Sequence, residues 1–298
     1  MDYPELLEAT IRHLETEKAR GVRHVNLDSG LLAELARPVT RAPQRELSPE
    51  AGLRPRQSEP TSPPRQSPPT SAPVPIDRET ARAARPELSR EEKERAMADL
   101  REKAFGCTLC SHLVAARQSV VFGVGNIHTE LMFVGEAPGM DEDRQGEPFV
   151  GKAGELLNKI IGAMGLKREE IYIGNVLKCR PDTPGQTHGN RKPTPIEMST
   201  CLPFLAAQID IIRPRVIVGL GATAVEGLFG KSQIGITRLR GTWMQYRDIP
   251  VMPTFHPSYL LRATGTTEKR KVWEDMMAVM ERLGMPISEK QRGFFLRK

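Results

Sequence analysis

Four apolar runs, each about the length of a β-strand, lie between residues 131 and 255 and are separated by segments of helical character. Each run is apolar at nearly every position, which is typical of strands that are buried on both faces. Sheets of this kind are mostly parallel and are covered by helices on either side. The pattern therefore predicts a three-layer α/β/α sandwich around a central four-stranded, mainly parallel sheet, with strands at residues 131–135, 171–176, 216–219 and 251–255.

Helix signals precede and separate these runs. Ser89 and Glu92 have the spacing of a capping box and begin a highly charged helix that we expect to end near Phe105. Thr194 and Glu197 form a second capping box, with proline at the first helical position. Further helices are predicted at residues 154–164, 195–212, 222–228 and 269–283.

The N-terminal part of the chain has a different composition. Residues 38–75 contain eleven prolines and no aromatic residue. Such a segment buries too little apolar surface to offset the entropy of ordering its backbone, so we expect it to be disordered. Residues 2–20 predict a short amphipathic helix. The predicted organisation is a helical N-terminal segment (1–37), a disordered proline-rich linker (38–88), a folded domain (89–286) and a basic C-terminal tail (287–298).

Net charge and hydropathy limit the classes of function. The chain carries a formal net charge of +6, which suits a polyanionic partner without requiring one. It has no run of 18 apolar residues, and its first residues lack the basic and apolar stretches of a secretory signal. We therefore expect a cytoplasmic protein that makes no use of a membrane.

Polar residues lie at the ends of three of the predicted strands. Glu136 follows the first strand, Asn175 lies at the end of the second, and His256 follows the fourth. The carboxyl ends of parallel strands meet at one edge of a sheet, where ligands of such folds bind. The sequence therefore predicts one site that combines these three side chains.

The four cysteines have a spacing that suits a metal site. Cys107 and Cys110 form a C-x-x-C pair, Cys179 follows the second strand, and Cys201 lies early in the helix that starts near Pro195. In a cytoplasmic protein such thiols are more typical of metal ligands or core residues than of disulfides. Four thiolates suit zinc or an iron–sulfur cluster, and spacing does not distinguish the two. The alternative is two buried cysteines beside an unrelated C-x-x-C pair.

Three motifs at the strand ends together resemble one known family. The first is Gly135-Glu-Ala-Pro-Gly139, an acidic triplet at residues 141–143 and then Pro148-Phe-Val-Gly-Lys-Ala-Gly154; the others are Gly174-Asn-Val-Leu-Lys-Cys-Arg-Pro181 and His256-Pro-Ser-Tyr-Leu-Leu-Arg262. They are similar to the three motifs of the family 4 uracil-DNA glycosylases. The resemblance covers residues from about 105 to 283, although the loop at residues 181–193 is longer than the family's usual segment.

This resemblance implies an enzyme that flips uracil out of DNA and hydrolyses its N-glycosidic bond, leaving an abasic site. It implies that Phe149 stacks on the uracil, that Asn175 pairs with N3–H and O4, and that His256 donates to O2 as negative charge develops. Backbone amides around Glu136 and Ala137 are further candidates to bind the base. The resemblance also implies that the four cysteines hold a [4Fe–4S] cluster, with a structural zinc ion as the alternative.

The acidic triplet offers a candidate for handling the attacking water. Glu142 is the preferred residue to position this water or to crowd the C5 methyl group of thymine. Asp141 and Asp143 are alternatives for the same role. A merely solvated acidic patch would also account for the three residues.

DNA that contains uracil, single- or double-stranded, is the expected partner of a monomer. Phosphate contacts are expected from Lys178, Arg180, Arg191, Lys192, Arg238, Arg240 and Arg262, which lie in or beside the site loops. Leu260 or Leu261 is expected to fill the gap left by the flipped base, unless it belongs to the core. The N-terminal segment either tethers a helix that binds a protein partner or is a passive extension.

Two other classes of function remain open from the residues alone. One is a non-catalytic nucleic-acid-binding domain with a structural zinc ion, and the other is a redox or metal-sensing protein in which the cysteines are the function. Only a glycosylase accounts for Glu136, Asn175 and His256 at neighbouring strand ends with Phe149 nearby.

Overall fold

The computed structural model describes residues 88–181, 191–230, 235–263 and 265–296. The strands are β1 (Val124–Gly125), β2 (Leu131–Gly135), β3 (Tyr172–Asn175), β4 (Val216–Leu220), β5 (Met244–Tyr246) and β6 (Ile249–Thr254). The helices are α1 (Arg90–Phe105), α2 (Ser111–Ala116), α3 (Met140–Gln145), α4 (Lys152–Ala163), α5 (Pro195–Ile212), α6 (Ala222–Phe229), α7 (Ile236–Leu239), α8 (Pro257–Arg262), α9 (Thr267–Leu283) and α10 (Glu289–Arg292). The predicted N-terminal helix and the proline-rich linker lie outside the described residues, as does most of the loop at residues 181–193.

The strands form one sheet in the order β1-β3-β2-β4-β6-β5. The four central strands pair in parallel and are the four predicted from the sequence, so the mainly parallel sheet is confirmed. The predicted number of strands was too low, because β1 and β5 add an antiparallel strand at each edge. These edge strands have two and three residues, which is too short for a recognisable hydrophobic pattern.

The hairpin that joins β5 to β6 also lacks its usual sequence signal. Its two connecting residues, Arg247 and Asp248, have φ angles of 46° and 65°. Two-residue hairpin loops need this left-handed conformation, and glycine or asparagine normally supplies it. The Arg-Asp pair therefore does not identify the turn in the sequence.

Two hydrophobic clusters cover the two faces of the sheet. Along β2, Leu131 and Phe133 face a cluster shared with α4 and α9, whereas Met132 and Val134 face a cluster shared with α1 and α5. Alternate side chains of one strand thus bury themselves against helices on opposite sides. This arrangement confirms the three-layer sandwich.

The helices predicted within residues 89–283 are confirmed, with bounds that differ by at most two residues. Both capping boxes form: the Ser89 hydroxyl accepts a hydrogen bond from the Glu92 N–H at 3.2 Å, and the Thr194 hydroxyl accepts one from the Glu197 N–H at 3.2 Å. Among the helices in the described ranges, none is long and apolar enough to cross a membrane.

The C-terminal segment, predicted as a basic tail, packs against the domain as far as Phe294. The indole N–H of Trp273 donates to the Gln291 carbonyl at 2.6 Å, and the Gln291 amide donates to the Ala163 carbonyl at 2.9 Å. The ring of Phe294 lies 5.2 Å from that of Trp273. The four-residue helix α10 is too short for a hydrophobic period to be recognised, so the sequence did not indicate that the domain continues through this segment.

Candidate active site

A cleft of about 470 Å³ opens at the carboxyl ends of the central strands. Six residues predicted to bind substrate or to act in catalysis all line it: Glu136, Ala137, Glu142, Phe149, Asn175 and His256. The structure thus brings the polar strand-end residues together in one cleft, as the strand-end pattern predicts. Their individual roles stay predictions.

Gly135 makes room for two of these side chains. It pairs with Asn175 across β2 and β3. A Cβ atom at Gly135 would lie 2.3 Å from the Asn175 Oδ1 and 2.6 Å from the Phe149 ring. Only glycine allows both side chains to occupy these positions.

Asn175 presents a buried acceptor to the cleft. The residue is 1% exposed, and within the described part of the chain its Oδ1 accepts no hydrogen bond. Buried polar atoms of folded proteins are nearly always paired, because an unpaired one costs about 1–3 kcal/mol. The side-chain oxygen is therefore well suited to accept a hydrogen bond from a bound ligand.

The loop that carries Phe149 has a strained backbone that its neighbours hold in place. Phe149 has a φ angle of 54°, in the left-handed region that non-glycine residues rarely adopt. Arg168 donates to the Pro148 carbonyl at 2.5 Å, and a Cβ atom at Gly154 would lie 1.8 Å from the Phe149 carbonyl oxygen. Strain of this kind is typical of sites whose geometry is fixed for a ligand.

Glu142 also contacts this loop, through hydrogen bonds that the sequence did not predict. Its Oε1 accepts hydrogen bonds from the backbone N–H groups of Val150 at 3.0 Å and Gly151 at 3.1 Å, and its Oε2 accepts one from Gly139 at 3.1 Å. These three bonds occupy most of the acceptor capacity of a carboxylate. Glu142 therefore stabilises the Phe149 loop and has little acceptor capacity left for positioning water, a role that stays a prediction.

Asp143 has a comparable structural role. It is 2% exposed and accepts hydrogen bonds from the backbone N–H groups of Gln118 at 3.0 Å and Ser119 at 3.2 Å. A solvated acidic patch is thus the wrong description of these two carboxylates. Their hydrogen bonds to the backbone could not be predicted, because the partners include residues far away in the sequence.

The surroundings of His256 fix its protonation state. Its Nδ1 accepts the backbone N–H of Ser258 at 3.1 Å and lies 2.8 Å from the Ser258 hydroxyl. Burial, with a smaller contribution from the charge of Arg262, lowers the pKa of His256 to about 4. The imidazole is therefore neutral at pH 7 and carries its proton on Nε2, the nitrogen left to donate a hydrogen bond.

Glu136 is a second titratable group of the cleft. Burial raises the pKa of its carboxyl group, and a hydrogen bond with Thr223 and the charge of Lys192 partly offset this effect. Lys192 itself pairs with Glu226 at 2.6 Å. The Glu136 carboxyl group thus combines a raised pKa with a position in the cleft wall.

The four cysteines meet beside the cleft. All four are free thiols, and Cys179 and Cys201 are buried in a small cluster with Leu113 and Leu177. Cys110 and the cleft residue Ala137 pack against this cluster. Cysteines from three separate segments of the chain thus come together next to the wall of the active-site cleft.

Without a bound cation, the thiols of this cluster are held in their neutral form. Burial raises the pKa values of Cys110, Cys179 and Cys201, the last to about 11, and neighbouring thiols raise them further. A metal reverses this effect, because it stabilises thiolates directly. Arg117 also donates to the Cys179 sulfur at 3.2 Å. Within the described ranges, however, no three His, Cys, Asp or Glu side chains have the spacing of a single-ion site.

Comparison with known proteins decides the family. The model of the uracil DNA glycosylase superfamily matches residues 122–277, which is more than half of the chain. The chain belongs to the uracil-DNA glycosylase superfamily. The α/β/α sandwich with its cleft at the strand ends is consistent with this membership, which confirms the resemblance of the three motifs.

Relatives within the superfamily are named as type-4 uracil-DNA glycosylases. The protein of Thermotoga maritima is 46% identical over 187 residues, which cover 62% of this chain and 93% of the relative. That of Archaeoglobus fulgidus is 41% identical over 170 residues, covering 55% of this chain and 82% of the relative. That of Sulfurisphaera tokodaii is 37% identical over 205 residues, covering 66% and 89%.

Several residues predicted to contact DNA are buried in this superfamily member. Lys178 is 2% exposed, Arg180 is 7% exposed, and Leu260 is a core residue at 3%. Arg240 forms an ion pair with the buried Asp275 and donates to a main-chain carbonyl. Their placement argues against the predicted contacts, which rested only on position in or beside the site loops.

Other residues in or beside the third motif and the cleft are exposed or line the cleft wall. Leu261 is 51% exposed, and Arg262 lines the cleft. Arg191 also lines the cleft and is held by Glu197 at 2.5 and 2.8 Å. Tyr259 lines the cleft and is 42% exposed, although no role was predicted for it from the sequence. Its position three residues after His256, in a short helix, was the available signal.

Proposed function

We propose that this protein is a uracil-DNA glycosylase that flips uracil out of DNA, hydrolyses the N-glycosidic bond and leaves an abasic site. The observation that carries the proposal is the buried Oδ1 of Asn175 beside the Phe149 ring in the cleft, which accepts no hydrogen bond from any residue that the structure describes. Membership of the superfamily and the names of the type-4 relatives support the same activity. The proposed substrate is single- or double-stranded DNA that contains uracil, bound by a monomer.

Recognition follows from the hydrogen-bonding pattern of the base. The Asn175 amide accepts from uracil N3–H and donates to O4, while Phe149 stacks on the ring. Cytosine has an acceptor at N3 and a donor at C4, so both contacts would face the wrong partner. Leaving the buried oxygen opposite another acceptor costs more than losing one hydrogen bond.

His256 acts on the leaving group. As the glycosidic bond breaks, negative charge grows on the base, and the neutral Nε2–H donates to O2 in our proposal. A donor aimed at a developing oxyanion contributes roughly 3–4 kcal/mol to transition-state stabilisation. The two contacts from Ser258 hold the ring in the tautomer that this role requires.

Cys107, Cys110, Cys179 and Cys201 would hold a [4Fe–4S] cluster, with zinc as the alternative occupant. The support is the convergence of four free thiols and the donors that face their sulfur atoms. The bound group would supply a structural clamp beside the cleft, without a redox step. Iron and zinc analysis of the purified protein, together with absorbance near 400 nm, distinguishes the two: a colourless protein with stoichiometric zinc would exclude the cluster.

The decisive experiment is cleavage of labelled oligonucleotides that contain uracil, thymine or cytosine at one position, followed by alkaline treatment. We expect strand scission only with uracil. Asn175→Ala should lower kcat/KM by roughly 100-fold or more, because it removes both polar contacts to the base. Asn126→Ala, which changes an exposed asparagine away from the cleft, is the matched control. Intact uracil DNA despite retained binding would favour a non-catalytic nucleic-acid-binding domain.

A further inference from the structure

Lys178 places an ammonium group inside the protein, a few residues from the base-reading amide. Its side chain donates to the Asn175 main-chain carbonyl at 2.9 Å and to the Gln208 Oε1 at 2.6 Å. Burying an ammonium group is costly unless its donors are satisfied. A contact with phosphate is excluded by this burial, so the lysine acts within the protein.

Gln208 orients the acceptor that Lys178 uses. It is fully buried in α5, and its amide nitrogen donates to the Phe122 carbonyl at 2.9 Å and to the Tyr172 hydroxyl at 2.9 Å. The amide oxygen is thereby directed towards Lys178. Flipping the amide would exchange donors for acceptors at all three contacts, so the position of the ammonium is strongly specified.

The main chain of Lys178 is fixed as well. Its N–H donates to the Cys201 sulfur at 3.2 Å, and its carbonyl accepts the Val121 N–H at 2.8 Å. Cys201 and Gln208 are seven residues apart in α5, which places them on one face of that helix. One helix therefore holds both the backbone and the side-chain end of Lys178.

We propose that Lys178 is a positioning residue that fixes the Asn175 main chain, so that the side-chain amide faces the base in the orientation that reads uracil. This inference rests on the proposed function of the cleft. Hydrogen bonds from charged donors are about twice as strong as neutral ones, so one such bond at the Asn175 carbonyl restrains the end of β3 effectively. Through the contact with Cys201, the same residue links the thiol site to base recognition.

The test replaces Lys178 by methionine, which keeps most of the length and volume and removes the ammonium. We expect kcat on uracil DNA to fall roughly 10- to 100-fold and the inhibition constant of free uracil to rise, because the base-reading amide loses its orientation. Affinity for uracil-free DNA should stay within about twofold, since phosphate contacts are untouched. Lys93→Met, at another buried lysine that donates to the Ile212 carbonyl, is the matched control and should keep both constants.

A double-variant cycle separates positioning from a general structural role. If Lys178 acts through Asn175, Lys178→Met should cost little more activity in an Asn175→Ala background, whereas independent effects would multiply. Multiplying effects, or unchanged kcat and free-uracil inhibition in Lys178→Met, would overturn the inference. If Lys178→Met does not fold, Gln208→Leu provides the same test, because it removes one of the two oxygens that accept hydrogen bonds from the Lys178 ammonium.

Failure of the proposed function would look different. A wild-type protein that leaves uracil DNA intact would refute the glycosylase proposal itself. A wild-type protein that cleaves uracil DNA, alongside a Lys178→Met variant that matches it, refutes only the positioning role.

Discussion

His256 is the residue whose chemistry depends most closely on its immediate neighbours. Because Ser258 donates to Nδ1, the imidazole offers Nε2–H to the cleft without carrying a charge. We expect His256→Ala to lower kcat by roughly 100-fold or more, as the loss of an oxyanion donor does in other enzymes, with little change in DNA affinity. His256→Gln, which retains an N–H donor, should lose less. Equal losses in kcat and DNA affinity would contradict a role at the leaving group.

The low pKa of His256 also predicts a dependence of stability on pH. In the folded protein the pKa of this imidazole is about 4, against 6.5 for an unperturbed histidine. Between these values the unfolded chain binds a proton that the folded protein does not, so stability falls as the pH is lowered from about 6.5 to 4. His256→Gln should reduce this loss by up to about 3 kcal/mol. Thermal unfolding of both proteins from pH 7 to pH 4 measures the difference, and identical slopes would contradict the prediction.

The location of some site residues could be predicted from the sequence, whereas the contacts of others could not. Glu136, Asn175 and His256 could be predicted as a site because strand ends converge whatever the details of packing. Arg240 could not be assigned correctly, since its partner Asp275 lies 35 residues away and no local pattern connects them. The protonation of His256 likewise depends on a backbone N–H that only the structure orients.

At the scale of elements, the turn around Phe149 is held by side chains from outside it. Glu142, in α3, accepts three backbone N–H groups that belong to the loop before α4 and to the start of α3. The strands and long helices could be predicted from hydrophobic period and capping boxes. The hydrogen bonds of Glu142 could not be predicted, because the sequence of an acidic triplet is the same whether its carboxylates face solvent or backbone N–H groups.

Glu142 variants distinguish a brace from a water-positioning base. Glu142→Gln keeps one acceptor oxygen for Val150 and Gly151, so we expect kcat/KM to fall only about threefold. Glu142→Ala leaves three N–H groups without their acceptor and should cost roughly 30-fold, with an unchanged pH profile. Glu155→Ala, at an exposed glutamate in α4, is the control. A Glu142→Gln variant as inactive as Glu142→Ala would instead support a role for the Glu142 carboxylate in positioning water.

At the scale of the whole molecule, the thiol site joins segments that the sheet alone does not connect. The C-x-x-C pair precedes α2, Cys179 follows β3, and Cys201 lies in α5. Binding free energy at a site assembled only by folding adds to the stability of the folded protein. If the thiols hold the proposed metal group, we expect its removal by oxidation and chelation to lower Tm by roughly 5–10 °C. Calorimetry with parallel iron and zinc analysis measures this, and an unchanged Tm after complete metal loss would contradict a structural clamp.

The catalytic unit should be separable from the N-terminal part of the chain. The residues that line the cleft and all four cysteines lie between Cys107 and Arg262. The Thermotoga maritima relative is matched over 93% of its length by only 62% of this chain. We therefore expect deletion of residues 1–87 to leave kcat/KM on short oligonucleotides within about twofold, because no residue assigned to base recognition is removed. Steady-state kinetics of the full-length and shortened proteins tests this directly. A large loss confined to KM would instead give residues 1–87 a part in binding DNA, since the chemistry at the cleft would be intact while its access to substrate was weakened.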